Sequence, residues 1–125
     1  MSHIAIIGAG GWGTALGLVA GRAGHAVRLW SRNGEVVSGI NARRVNGVYL
    51  TAHEFVGDVS ATGELGEAVG DARMVILAAP SHATRELLER MKGELRVDVV
   101  LVSATKGIEI ETGQRISEVA GEVLG

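Results

Sequence analysis

The chain has no cysteine, one proline, and no apolar run longer than the six residues Met74 to Ala79. Without cysteine there is neither a disulfide framework nor a thiolate metal site. Six apolar residues fall far short of the roughly 20 that a helix needs to cross a bilayer. The opening residues predict no signal peptide, because His3 to Ile7 is a strand-length run that glycines interrupt at once. An excess of one charge is also missing. The 12 Lys and Arg against 14 Asp and Glu leave a net charge of −2, which supplies no general pull toward nucleic acid or an anionic membrane. The four histidines, His3, His25, His53 and His82, show no metal-ligand spacing. No metal, nucleic-acid or membrane partner is expected, and the expected location is the cytoplasm.

Apolar residues make up 46% of the 125, enough for one domain, residues 1–125, with a buried core. Most are Ala, Val, Ile and Leu, which suits a parallel sheet covered on both faces. Glycine is abundant, at 19 residues, so a glycine motif carries weight only in the right context. Gly8-Ala9-Gly10-Gly11-Trp12-Gly13 has that context. It follows the apolar run Ile4 to Ile7 and opens a helical pattern with Leu16, Val19, Ala20 and Ala23 at helical spacing. Gly24 then stands where a C-terminal cap belongs, and Ala26 to Trp30 reads as a second strand. A strand, glycine turn and helix in that order point to a dinucleotide site. The first glycine permits the turn, the second lets backbone approach a pyrophosphate, and the third lets helix pack on strand. The phosphates would meet unpaired N–H groups at the positive end of the helix.

The alternation continues. Asn33 is a candidate cap for a helix from Gly34 into Arg43-Arg44, and Val45 to Gly57 reads as a loop. Val59 to Thr62 is a short strand. Glu64 to Val69 is a short helix with Leu65, Ala68 and Val69 inward. Met74 to Ala79 is a central parallel strand that Pro80 ends. Ser81 is a candidate N-cap for a helix with the stripe Leu87, Leu88, Met91 and Leu95. Val99 to Ser103 reads as another buried strand. A last helix is expected from Thr112 or Gly113 toward Leu124, with Ile116, Val119, Ala120 and Val123 inward. Five strands alternating with helices predict a Rossmann-type, doubly wound, mainly parallel sheet in a single domain.

Ligands bind at the carboxyl ends of the strands in such a sheet. An acidic residue near the end of the second strand normally takes the ribose hydroxyls of NAD, yet Trp30-Ser31-Arg32-Asn33 has none. Arg32 can instead accept the 2′-phosphate of NADP, because its planar fork makes paired, charge-assisted hydrogen bonds. NADP is therefore preferred over NAD, with use of both left open. Two further strand ends are distinctive, Ala79-Pro80-Ser81-His82 and Ser103 to Glu109. A lysine at Lys106 can hold a phosphate or polarise a carbonyl, although loop lysines are commonly just solvated. His82 reads as a first-turn helix residue, and Glu86, Glu89 and Arg90 as a solvated helix face.

Four segments carry a resemblance that covers almost the whole chain: Ile7 to Leu16, Leu29 to Asn33, Ala79-Pro80-Ser81, and Ala104 to Glu109 with Thr112-Gly113. The stretch Asn41 to Leu50, with Asn46 and Tyr49-Leu50, adds to it. The chain resembles the N-terminal half of the bacterial NAD(P)-dependent sn-glycerol-3-phosphate dehydrogenases. The resemblance implies hydride transfer between dihydroxyacetone phosphate and glycerol 3-phosphate, supplying phospholipid synthesis. It implies that Gly11 and Trp12 contact the cofactor at the helix start, beside the motif glycines Gly8, Gly10 and Gly13. Arg32 would lie at the adenosine end and Tyr49 would close over it. Lys106 would touch both the nicotinamide side and the substrate, as a cofactor-binding and catalytic residue that stabilises oxyanion character. The chain departs from the family at Gly11, commonly Ser, and at Thr51-Ala52-His53, where the family reads Pro-Gly. The resemblance also implies a C-terminal helical substrate domain that this chain does not contain. The 125 residues are therefore expected to bind cofactor without turning over substrate. A homodimer is compatible with the full-length family. Two alternatives remain at this point, the cofactor domain of another hydroxyacid dehydrogenase and a stand-alone nucleotide-binding module.

Overall fold

The computed structural model describes residues 3–104. In chain order the elements are β1 (Ile4–Ile7), α1 (Gly11–Arg22), β2 (Val27–Trp30), α2 (Gly34–Arg43), β3 (Val59–Thr62), α3 (Leu65–Val69), β4 (Met74–Leu77), α4 (Ser81–Met91) and β5 (Val100–Ser103). The strands form one sheet in the order β3-β2-β1-β4-β5, and every pairing is parallel. This is the expected doubly wound arrangement. No described helix is long and apolar enough to cross a membrane.

Alternation along each strand divides the core between two faces. Ala5 and Ile7 of β1 join Val75 and Leu77 of β4, Leu65 of α3, and Leu87, Leu88 and Met91 of α4 on one face. Ile6, Val27 and Leu29 join Leu18 of α1, Val36 and Ile40 of α2, and Phe55 on the other. Each fully buried aliphatic side chain contributes on the order of 1.5–3 kcal/mol, so the two layers hold the central strands from both sides.

The helix ends follow local chemistry. Asn33 caps α2 as expected, its Oδ1 accepting from Glu35 N at 2.9 Å and Val36 N at 3.4 Å. After α1, Gly24 has φ +93; its N–H donates to Gly21 O, and His25 N donates to Ala20 O. That pair of bonds is a Schellman closure, which requires the left-handed residue that glycine supplies.

Four local expectations need correction. Val19 is 66% exposed, and the buried face of α1 is instead Gly13, Thr14, Gly17, Leu18 and Gly21. Leu16 and Ala20 do pack against the core as partly buried residues beside Leu18, and glycines bring the helix close to the sheet between them. The N-cap of α4 is Pro80 rather than Ser81. Strand β4 ends at Leu77, and Ala78-Ala79 belong to the turn that follows. Among the described residues strand β5 is an edge strand, with Val100 53% exposed, because β4 is the one described strand that pairs with it. The expected last helix lies outside the described residues.

Candidate dinucleotide-binding site

The register brings the strand ends level. Ile7 pairs with both Trp30 and Leu77, and Leu77 pairs with Ser103. The ladder runs one step further, with Gly8 N donating to Trp30 O at 3.0 Å and Ala78 N donating to Ile7 O at 2.9 Å. Strand β1 lies where the chain order reverses, with β2 and β3 on one side and β4 and β5 on the other. The crevice outside the carboxyl ends at such a reversal is the binding position of open α/β sheets.

The glycine turn fills this position. Gly8 has φ +114, and a Cβ there would stand 2.8 Å from Ala79 N and 2.9 Å from the Ala78 carbonyl carbon. A Cβ on Gly13 would stand 1.8 Å from Gly8 O, so the first turn of α1 rests directly on the turn that precedes it. At Gly10 and Gly11 an added Cβ meets nothing within 4 Å. Two glycines are thus demanded by the fold, and two face open space that a ligand can approach. Gly10 is the N-cap of α1, and among the described residues no side chain caps the helix. The first-turn N–H groups are left for an external acceptor, the property that suits a helix start to phosphate. Chain and group therefore fit: an uncapped, glycine-lined turn offers donors and room to a pyrophosphate.

Beside the turn lies a cleft of about 250 Å³. Its described lining includes Gly8 and Ala9 at the end of β1, Trp30, Ser31 and Arg32 at the end of β2, and Pro80, His82, Ala83 and Leu87 at the start of α4. Trp30 is buried and its Nε1 donates to Gly63 O at 3.0 Å, so the indole is a fixed wall. Arg32 extends from the same wall, with its guanidinium carbon 6.0 Å from the Trp30 ring centroid. None of residues 30–33 at the end of β2 is itself acidic. His82 is both a first-turn residue of α4 and part of the lining.

Trp12 is 58% exposed in the first turn of α1, which removes a core-packing role for it. Trp12 and Tyr49 are not among the described lining residues of the cleft; both stand exposed. Lys106, with the segment Thr105 to Glu109, lies outside the described residues.

Sequence reasoning missed two contributors. Asn46 is fully buried. Its Nδ2 donates to Ala9 O at 2.9 Å and to Thr14 Oγ1 at 2.8 Å. Its Oδ1 accepts from Val48 N at 2.9 Å and Tyr49 N at 3.0 Å. One amide therefore ties the loop that carries Tyr49 to the glycine turn. Asn46 had only its place in a resembling segment to mark it, since a buried asparagine in a loop has no periodicity. The second is Glu86, which forms an ion pair with Arg32 at 3.6 Å rather than merely solvating a helix face. No spacing rule links residues so far apart in the chain.

Fold and site together define a Rossmann-type α/β domain with a dinucleotide-type glycine turn at its topological reversal. The chain belongs to the family described as NAD-dependent glycerol-3-phosphate dehydrogenase N-terminus, which matches residues 3–125. It is 48% identical over 125 residues to a glycerol-3-phosphate dehydrogenase, NAD(P)+, of Koribacter versatilis, covering 99% of this chain and 37% of that protein. The crystal structure of glycerol-3-phosphate dehydrogenase from Coxiella burnetii superposes with a TM-score of 0.91 at 35% identity, covering 99% of this chain and 38% of that one. A ketopantoate reductase from Ralstonia eutropha shares the fold at a TM-score of 0.76 and 25% identity, covering 97% of this chain and 38% of that one. The fold alone therefore does not choose a substrate. The chain spans less than two-fifths of the length of these relatives and corresponds to their N-terminal, cofactor-binding part.

Proposed function

We propose that this chain is the cofactor-binding half of a cytoplasmic NAD(P)-dependent glycerol-3-phosphate dehydrogenase that reduces dihydroxyacetone phosphate for phospholipid synthesis, with NADP preferred. The observation that carries the reading is the glycine turn. Its fold-required positions, Gly8 and Gly13, are closed to any side chain, while Gly10 and Gly11 face open space beside an uncapped helix start. The family match supports the choice of substrate.

In this reading the N–H groups of the first turn of α1, at Gly11, Trp12 and Gly13, hold the pyrophosphate. The Trp30 wall flanks the adenosine end, and Arg32 takes the 2′-phosphate through charge-assisted hydrogen bonds. Tyr49, on the loop that Asn46 holds, covers the same end. When bound, the reduced nicotinamide supplies a hydride to the C2 carbonyl of dihydroxyacetone phosphate, and a proton completes glycerol 3-phosphate. Lys106 places a positive charge against the developing oxyanion.

The test is titration of the 125-residue chain with NADPH and NADH, for the parent and for Arg32→Ala. Loss of the charge-assisted contact is expected to weaken NADPH by about 1.5–3 kcal/mol, roughly ten- to a hundred-fold, and NADH much less. Equal losses, or none, remove Arg32 from the 2′-phosphate role. A chain that binds neither dinucleotide defeats the cofactor reading itself.

A further inference from the structure

Arg32 does not stand free. Glu86 Oε1 lies 3.6 Å from Arg32 Nη2 and 4.0 Å from Arg90 Nη1, one turn along α4. Arg32 belongs to the wall of the cleft built by the end of β2. Glu86 sits on α4 between Ala83 and Leu87, which line the opposite wall. The ion pair therefore joins the two walls at the rim. Its side chains are 58% and 64% exposed, and exposed pairs of this kind are weak and easily exchanged.

We propose that Glu86 is a specificity-determining residue, a built-in counter-anion that competes with the 2′-substituent of the cofactor for Arg32. The inference rests on the reading that Arg32 faces the 2′ position. A 2′-phosphate carries more charge than a carboxylate and offers three acceptor oxygens, so it displaces Glu86 and spends part of its binding in doing so. A 2′-hydroxyl has no charge with which to displace the carboxylate and leaves the pair intact. Glu86 thus lowers affinity for NADPH while leaving NADH almost untouched. It narrows the gap between the cofactors in a site that has an arginine at β2 and no acid. Its place on α4, more than fifty residues from Arg32 in the chain, lets it act without occupying the end of β2.

The test is Glu86→Gln in the 125-residue chain, with NADPH and NADH titrated separately. The amide keeps the shape and removes the charge at an exposed position, and a melting curve checks that the fold is unaltered. NADPH is expected to bind about two- to five-fold more tightly, the scale of an exposed ion pair, with NADH unchanged. Glu89→Gln, on the same helix, controls for general loss of negative charge and is expected to leave the NADPH to NADH ratio as it was. In an Arg32→Ala background Glu86→Gln is expected to do nothing. An equal shift for both cofactors, no shift, the same shift from Glu89→Gln, or an effect that persists without Arg32 overturns the inference. If Arg32→Ala itself fails to separate the two cofactors, the Arg32 reading has failed. If it separates them while Glu86→Gln does not, only the role of Glu86 is lost.

Discussion

Replacing Asn46 by alanine removes four hydrogen bonds at once from a fully buried position. The amide uses its whole capacity, two donors and two acceptor positions, on Ala9 O, Thr14 Oγ1, Val48 N and Tyr49 N. The loss is smaller than four separate deletions. Ala9 O keeps the Thr14 hydroxyl at 3.2 Å. Val48 and Tyr49 are themselves exposed residues. Each net bond is worth about 0.5–1.5 kcal/mol, and a buried group left short of partners adds about 1–3. An overall cost of about 3 kcal/mol follows, against a total stability of about 5–15 kcal/mol for a domain. The variant should fold, with a midpoint lowered by roughly 10–15 °C at about 4 °C per kcal/mol. Urea unfolding measures the loss, and limited proteolysis between residues 46 and 54 reports release of the loop. A loss under about 1 kcal/mol, or a loss with no added cleavage in the loop, refutes the view that Asn46 is the strut between loop and glycine turn.

The two classes of glycine separate cleanly. Gly13→Ala drives a Cβ into Gly8 O and is expected to cost at least about 3 kcal/mol or prevent folding, read by circular dichroism and melting. Gly10→Ala meets nothing in the protein; its melting should stay near the parent while dinucleotide affinity falls ten-fold or more, and unchanged affinity removes Gly10 from the phosphate site. Asn33→Ala deletes the cap of α2 and is expected to cost about 1 kcal/mol, with faster amide exchange confined to the first turn of that helix.

The buried face of α1 shows where legibility stopped. Counting large apolar residues at helical spacing selects Leu16, Val19, Ala20 and Ala23, yet Val19 faces solvent. Leu16 and Ala20 do pack against the core beside Leu18, but the closest approaches are made where side chains are absent. A Cβ on Gly17 would lie 3.3 Å from both Leu29 Cδ1 and Phe55 Cε1, and one on Gly21 would lie 2.7 Å from Val56 O. Hydrophobic periodicity cannot register a contact made by having nothing there. Strand β5 failed for another reason. Val99 to Ser103 has the composition of a central strand, and composition does not say whether one neighbour or two will pair with it.

By itself the sequence determined the local grammar of this protein. Alternating strands and helices, the Asn33 cap, the Gly24 closure, the glycine turn and the missing acid at β2 are all properties of neighbours in the chain. They depend on dihedral preference and side-chain chemistry within a few residues. Tertiary structure alone decided the rest: which face of α1 is buried, that β5 is an edge, that Asn46 reaches across 37 residues to Ala9, and that Glu86 meets Arg32 at the cleft rim. These are contacts between distant segments, and they exist only once the parallel sheet has brought its strand ends level.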